Sequence, residues 1–244
     1  MGGPKSIIIR YTQPVLFAEI RPLKGPPAPP TGSRSAILQS VPTLARTARE
    51  IEVKLRVADM AELIRELRRL GAMTRGRVFE RNTLYDTREA DFRRRGLLFR
   101  VRMETPAAAH SLAAGARRAV LTFKAPPDHR ESRARKRYKE RLETELEIQR
   151  PAIWARTLRM LGLHPAFRYE KYRSAFRLGR LHLDLDETPA GVFLELEGAP
   201  TDIDRAARAL GYAPCDYIQA TYWDIYADDC HRRGRVPKNM VFRA

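Results

Sequence analysis

From residue 49 to residue 198 the chain repeats one pattern, a short segment in which apolar and charged residues alternate. In "AREIEVKLRV" the residues Ile51, Val53 and Leu55 fall on one side and Glu50, Glu52, Lys54 and Arg56 on the other. Period-two alternation of this kind predicts half-buried strands. It recurs near 49–57, 79–86, 97–103, 119–124, 141–149, 171–178, 181–187 and 192–198. Helical spacing interrupts it. "ADMAELIRELRRLGA" places Met60, Leu63, Ile64, Leu67 and Leu70 on one helix face, with Gly71 as a stop. "PAIWARTLRMLG" has Pro151 in the first turn and Gly162 past the end. "TDIDRAARALG" is expected to be capped by Thr201, and "DYIQATYWDIYADDC" to form a closing helix.

Outside this region the pattern fails. Residues 1–47 contain one acid, Glu19, and the run "KGPPAPPTGS", which predicts a flexible extension. Residues 48–230 are then one domain and 231–244 a basic tail. "ETPAAAHSLAAGARR" reads as a loop joining two strands. "DHRESRARKRYKER" holds seven Lys or Arg in fourteen positions without alternation, and is expected to be a solvated charged connection. No run approaches the roughly 20 apolar residues that span a bilayer, and the N-terminus does not read as a secretory signal. A cytoplasmic protein is expected. Cys215 and Cys230 are too few for a zinc cluster or a disulfide framework and read as packing residues, as do Trp154 and Trp223.

Composition changes the picture at one point. Hydrophobic residues at 43% suit a soluble globular chain, but 46 Lys and Arg against 29 Asp and Glu give a net charge of +17. That implies a polyanionic partner. A nucleic-acid module would show its bases on an exposed face interleaved with aromatics. Here the bases are threaded through the strands. Arg100 pairs with Arg102 in "LLFRVRM", Thr122 with Lys124 in "VLTFKA", and Lys171 with Arg173 in "EKYRSAF". Acids are sorted likewise. Glu143, Glu145 and Glu147 follow Arg141, Asp184 and Asp186 follow His182, and Glu195 and Glu197 follow Phe193.

Strand parity therefore gives at least six strands one apolar face and one face of mixed charge. Burying so many ions unpartnered would cost several kcal/mol each, which excludes a dry interior. If helices cover the apolar face, the charged face must curl around something wet. A tunnel whose bases grip a polyanion and whose carboxylates hold a hard divalent cation satisfies both sets.

The same residues resemble the CYTH superfamily of triphosphate tunnel metalloenzymes, which includes class IV adenylate cyclases, thiamine triphosphatases and inorganic triphosphatases. "EIEVK" matches the ExExK signature, and "LYDT", "LLFRVR", "LTFK", "RLETE", "EKYRSAF" and "LDETPAGVFLELEG" follow in family order, covering about 49–198. The resemblance implies an α+β fold, an eight-stranded antiparallel barrel with a charged interior and helices packed outside. It implies Mg2+ or Mn2+ as cofactor and a small-molecule triphosphate, such as inorganic triphosphate or ATP, as substrate. Lys54, Arg100, Arg102, Lys124, Arg141, Lys171 and Arg173 match the phosphate-binding bases. Glu50, Glu52, Asp186, Glu195 and Glu197 match the metal-associated acids, and Glu50, Glu52, Lys54 and Lys124 carry the catalytic expectation. Arg56, Glu143, Glu145 and Asp184 are expected to support them.

The reaction implied first is hydrolysis of a phosphoanhydride with release of orthophosphate. The alternative is cyclisation of ATP with release of pyrophosphate. A binding module for polyphosphate or RNA comes last, an RNA 5′-triphosphate being compatible with the fold, as is a homodimer. Two departures bear on the choice. The cyclase motif extends upstream with a His-Phe pair where this chain has Thr43 and Leu44, and several triphosphatases place a tyrosine where it has Leu84.

Overall fold

The computed structural model describes residues 46–107, 118–127 and 137–242. The expected N-terminal extension through residue 45, Thr43 and Leu44, and most of the "ETPAAAHSLAAGARR" and "DHRESRARKRYKER" connections lie outside the described residues. Eight strands form a closed barrel: β1 (Arg46–Val57), β2 (Met73–Asp86), β3 (Leu98–Pro106), β4 (Arg118–Ala125), β5 (Lys139–Glu147), β6 (His164–Leu178), β7 (Leu181–Thr188) and β8 (Gly191–Glu197). Around the barrel the order is β1-β5-β4-β3-β2-β6-β7-β8, and every pair is antiparallel.

The barrel is hydrophobic on its outside. Val53, Leu55, Leu183, Leu185, Leu194 and Leu196 point outward and are sealed by Leu63 and Leu67 of α1 (Met60–Arg69) and by Ile203 and Ala207 of α4 (Pro200–Ala209). Each fully buried Leu or Ile contributes about 1.5–3 kcal/mol, so this layer is a main source of stability. A second layer puts Leu158 and Trp154 of α3 (Pro151–Met160) with Tyr85, Val101 and Ile148. A third gathers Tyr222 and Ile225 of α5 (Tyr222–Arg232) with Phe167, Tyr169, Phe193 and Met240 at one end of the barrel.

Local chemistry explains where the helices begin. Asp59 caps α1 by accepting from the Glu62 amide at 2.9 Å, worth about 1 kcal/mol. Thr201 does not cap α4: the cap position is Ala199, and Pro200 occupies the first turn, where its missing N–H costs nothing. The expected closing helix starts late, because Thr221 and Asp224 form a reciprocal capping box. The preceding residues run extended, and the Ile218 amide donates to the Lys54 carbonyl at 2.8 Å.

β2 and β6 are longer than alternation predicts, starting at Met73 and His164 instead of 79 and 171. Their leading halves mix polar residues on both faces, so no period-two signal marks them. One further element, α2 (Asp91–Arg94), lies in the β2–β3 connection. Asp86, at the end of β2, organises it by accepting from the amides of Thr87, Phe92 and Arg93 at 2.8–3.0 Å.

Candidate active site: a charged tunnel

Because neighbouring strands are in register, the inward side chains form rows across the barrel wall. Glu52 lies opposite Lys139 on β5 and Glu197 on β8, and Lys54 lies opposite Glu195, itself opposite Asp184. On the far side Phe167, Leu84, Arg100, Thr122 and Glu145 stand side by side across β6, β2, β3, β4 and β5. Together they surround a cavity of about 840 Å³.

The wall built by β2, β6 and β7 is closely neutralised. Arg173 reaches Asp184 at 2.6 Å, Asp186 through two nitrogens at 2.7 and 2.6 Å, and Glu195 at 2.6 Å. Lys171 donates to Asp186 at 2.8 Å and sits 3.6 Å from Glu80. Tyr222 adds its hydroxyl to Asp186 at 2.7 Å, while Lys54 and Lys171 stand 4.5 and 5.1 Å from the centre of its ring. Burial works to raise the Glu80 carboxyl, but Lys171, Arg173, Arg102 and Arg100 outweigh it and hold the group well below the usual range. Burial is likewise overcome at Glu195, where Lys54, Lys171 and Arg173 keep the carboxyl ionised. Burial and the adjacent Asp186 and Glu195 push the Tyr222 phenol upward, so it remains a donor.

The rim formed by β1, β8 and the start of β5 is richer in acid. Lys124 bridges Glu50 at 2.5 Å and Glu143 at 3.1 Å, and Lys139 holds Glu52 at 2.8 Å. Burial, reinforced by Glu52 and Glu143 and opposed by Lys124, lifts the Glu50 carboxyl to about 7. At Glu52 burial is overcome by Lys139, and the carboxyl falls to about 2. Burial raises Glu197, which has His182 and Lys124 to attract it and Glu143 and Glu52 to repel it. Among the described residues no three acidic, His or Cys side chains converge as a formed metal cage. A hard cation needs only one or two carboxylates and takes its remaining ligands from water and phosphate. Glu50, Glu52 and Glu197 fit that requirement, whereas Asp186, fully buried, already has donors on both oxygens.

Between these regions lie the arginines. Arg100 donates to Tyr169 and Thr122, each at 3.2 Å, and Arg102 to Glu145 at 3.2 Å. Arg141 donates to the Gly96 carbonyl at 2.5 Å. Buried Arg100 Nε and Asn82 Oδ1 have no hydrogen-bond partner.

Of the residues singled out from the sequence, Glu50, Glu52, Lys54, Arg100, Arg102, Lys124, Arg141, Glu143, Glu145, Lys171, Arg173, Asp184, Glu195 and Glu197 line the cavity, and Asp186 lies behind its wall. Arg56 does not join them: it is exposed, with its guanidinium 4.8 Å from the centre of the Phe193 ring. Sequence reasoning missed Glu80, Asn82, Lys139 and Tyr222. Strand parity would have found Lys139, two positions before Arg141, whereas Asn82 and Glu80, two and four before Leu84, lie where polar residues occupy both faces of the strand. Nothing local marks Tyr222, which reaches the site only because α5 docks at the barrel end.

A family model of the CYTH domain matches residues 48–222. Comparison with curated proteins finds no match. Among solved structures, one protein from Pyrococcus horikoshii OT3 is 21% identical with a TM-score of 0.58, over 74% of this chain and 99% of its own. A second from that organism is 25% identical with a TM-score of 0.57, over 72% and 98%. A candidate adenylate cyclase from Vibrio parahaemolyticus is 19% identical with a TM-score of 0.56, over 72% and 96%. These likenesses show the barrel fold. With the family match covering most of the chain, the protein belongs to the CYTH domain family of triphosphate-binding tunnel enzymes.

Proposed function

We propose that the protein hydrolyses a triphosphate in this tunnel with Mg2+ or Mn2+, releasing orthophosphate. The observation that carries the reading is the polarity of the cavity: buried arginines and lysines on one side, and on the other a cluster of Glu50, Glu52 and Glu197 in which Glu50 and Glu197 are raised by burial and by repulsion from Glu52 and Glu143. Arg100 and Arg102 grip phosphate oxygens, and Arg100 Nε gains the acceptor it lacks. Lys54 and Lys124 offset the remaining charge. The bound cation would be held by Glu50, Glu52 and Glu197 and would polarise the phosphoanhydride. Asp186 and Glu195 hold Lys171, Arg173 and Lys54 in place. Water attacks the terminal phosphorus, the bridging P–O bond breaks, and orthophosphate leaves. The protein's part is positioning and charge stabilisation. Cyclisation of ATP is the second reading, favoured by Leu84 standing in the Arg100 row where hydrolytic relatives carry a tyrosine.

The test is product analysis. Purified protein and its Glu50→Gln/Glu52→Gln variant are incubated with inorganic triphosphate or ATP and either metal. Orthophosphate release, lost in the variant by a factor of about 100 or more, supports hydrolysis. Cyclic AMP with equal pyrophosphate replaces it by the second reading, and binding without turnover sinks both.

A further inference from the structure

β6 is paired unevenly. β2 runs beside it from Asp86 opposite His164 to Met73 opposite Arg177, but β7 covers only residues 172–178. Along 164–171 the second edge of β6 would therefore leave backbone N–H and C=O groups unpaired. The chain fills that edge with its own C-terminal segment. Past the end of the family match, Met240 forms a parallel bridge to Tyr169. Its N–H donates to the Arg168 carbonyl and its carbonyl accepts from the Glu170 N–H, each at 2.9 Å. Asn239 Oδ1 accepts from the Arg168 N–H at 2.9 Å, and Glu170 Oε2 from the Phe242 N–H at 3.1 Å. The Met240 side chain is fully buried, and the ring centres of Phe242 and Tyr172 are 5.5 Å apart. Residues 239–242 are thus a strap bound along β6.

The strap grips β6 at Arg168 and Glu170, on either side of Tyr169, and the Tyr169 side chain lines the tunnel. Its hydroxyl accepts from Arg100 Nη1 at 3.2 Å, and the Thr122 hydroxyl accepts from Arg100 Nη2 at the same distance. Glu145 stands further off, at 3.7 Å. Arg173 shows the alternative, held by the carboxylates of Asp184, Asp186 and Glu195 at 2.6 Å each. Carboxylates fix a guanidinium and cancel its charge. Two hydroxyls fix it and leave the charge for a ligand, and an arginine ordered in advance loses less freedom on binding.

We infer that Tyr169 is a positioning residue for Arg100, and that the C-terminal strap of residues 239–242, bound outside the barrel, holds Tyr169 in place for it. The inference rests on the triphosphate reading above, in which Arg100 grips phosphate, and extends that site to a segment with no contact to the ligand. The route is short: strap, β6 backbone, Tyr169 hydroxyl, Arg100.

The test titrates the full chain with inorganic triphosphate in magnesium, following heat of binding, and melts each variant without ligand. Tyr169→Phe keeps the ring and removes the acceptor. It is expected to weaken binding about fivefold, the ordinary worth of one hydrogen bond, with little change in Tm. Met240→Ala loosens the strap and is expected to lower Tm and weaken binding about threefold or more, and Met240→Leu, which keeps the volume, to restore both. The decisive variant carries Tyr169→Phe and Met240→Ala together. Its binding is expected to fall no further than with Tyr169→Phe alone, while the Tm loss of Met240→Ala is retained in full. Phe242→Ala, which loosens the other end of the strap, replaces Met240→Ala where that variant yields too little folded protein. Unchanged binding in Tyr169→Phe overturns the positioning role. Unchanged binding in Met240→Ala, or an equal loss with and without the Tyr169 hydroxyl, overturns the role of the strap, and either result leaves the triphosphate reading standing. Failure of the parent to bind triphosphate overturns both.

Discussion

The two sides of the tunnel use the same residue types to opposite ends. On the β2, β6 and β7 wall, Asp186, Asp184 and Glu80 are each engaged by Lys171 or Arg173, Glu195 of β8 joins them through Arg173, and Lys171 is only 1% exposed. On the β1, β8 and β5 rim the acids crowd one another: burial makes Glu50 and Glu197 easier to protonate than free carboxylates, as it does Asp186 on the wall, but Glu50 and Glu197 also feel the repulsion of Glu52 and Glu143. A buried, matched network is rigid and costly to break. An acid cluster with incomplete compensation is a poor structural device but a good receptor for a cation. The difference separates the part of the site that the fold completes by itself from the part left for ligands.

The largest effect expected from this contrast is on stability. Lys171→Met takes one cation out of the buried wall, leaving Asp186 to Arg173 and Tyr222 and Glu80 to Arg173 and Arg102, and is expected to cost about 3–5 kcal/mol, a fall in Tm of roughly 10 °C for a chain of this size. Lys139→Met, which removes the partner of Glu52 at the more open rim, is expected to cost less than about 2 kcal/mol. Thermal melts in metal-free buffer compare them. Equal losses would erase the distinction between the two sides.

Next in size is the response to cation. At about 100 times its Kd, Mg2+ or Mn2+ should stabilise the protein by about 2.7 kcal/mol. Glu50→Gln/Glu52→Gln should abolish the shift. Survival of the shift in that variant would move the cation to the other wall.

The contrast between sides was only half legible in the sequence. Alternation located all eight strands, because a strand with one face on a helix layer must be apolar at every second residue, as Val53 and Leu55 or Leu194 and Leu196 are. The same parity brought Glu50, Glu52, Lys54, Arg100, Arg102 and Lys124 to one cavity. It could not say which ions are matched, since pairing depends on neighbours around the barrel and not along the strand. Arg173 finds Asp184 and Asp186 on β7 and Glu195 on β8. Glu80 and Asn82 were hidden because β2 carries Arg81 and Thr83 on its opposite face, which removes the contrast that reveals alternation. Trp223 reads as a helix-core aromatic and Tyr222 carries no local mark, and only the docking of α5 turns them toward the cavity.

The acid-rich rim also predicts a pH dependence. Glu50 binds its proton more tightly in the folded chain, at about 7 against an ordinary 4.5. Between those values the folded state holds more protons than the unfolded one, so stability falls as pH rises. In metal-free buffer the decline should be of order 2 kcal/mol from pH 4.5 to 7, and Glu50→Gln should flatten it. A stability that instead rises through this window would show Glu50 to be well compensated.

The smallest effect is the most discriminating. Glu197 faces Glu52 across β1 and β8, and its carboxyl is raised by burial with Glu143 and Glu52 adding repulsion. Its ionised form therefore weakens the metal-free fold above the ordinary carboxylate range, by the same proton balance that governs Glu50. Glu197→Gln keeps the shape and removes the charge. At pH 7.5 without metal it should stabilise the protein by up to about 1 kcal/mol, a Tm rise of roughly 2–4 °C, while reducing the stabilisation produced by Mg2+ or Mn2+. Opposite signs in the two conditions are what a residue kept for a cation must show. A loss of stability without metal would place Glu197 with Asp186 and Glu195, among the acids that hold bases.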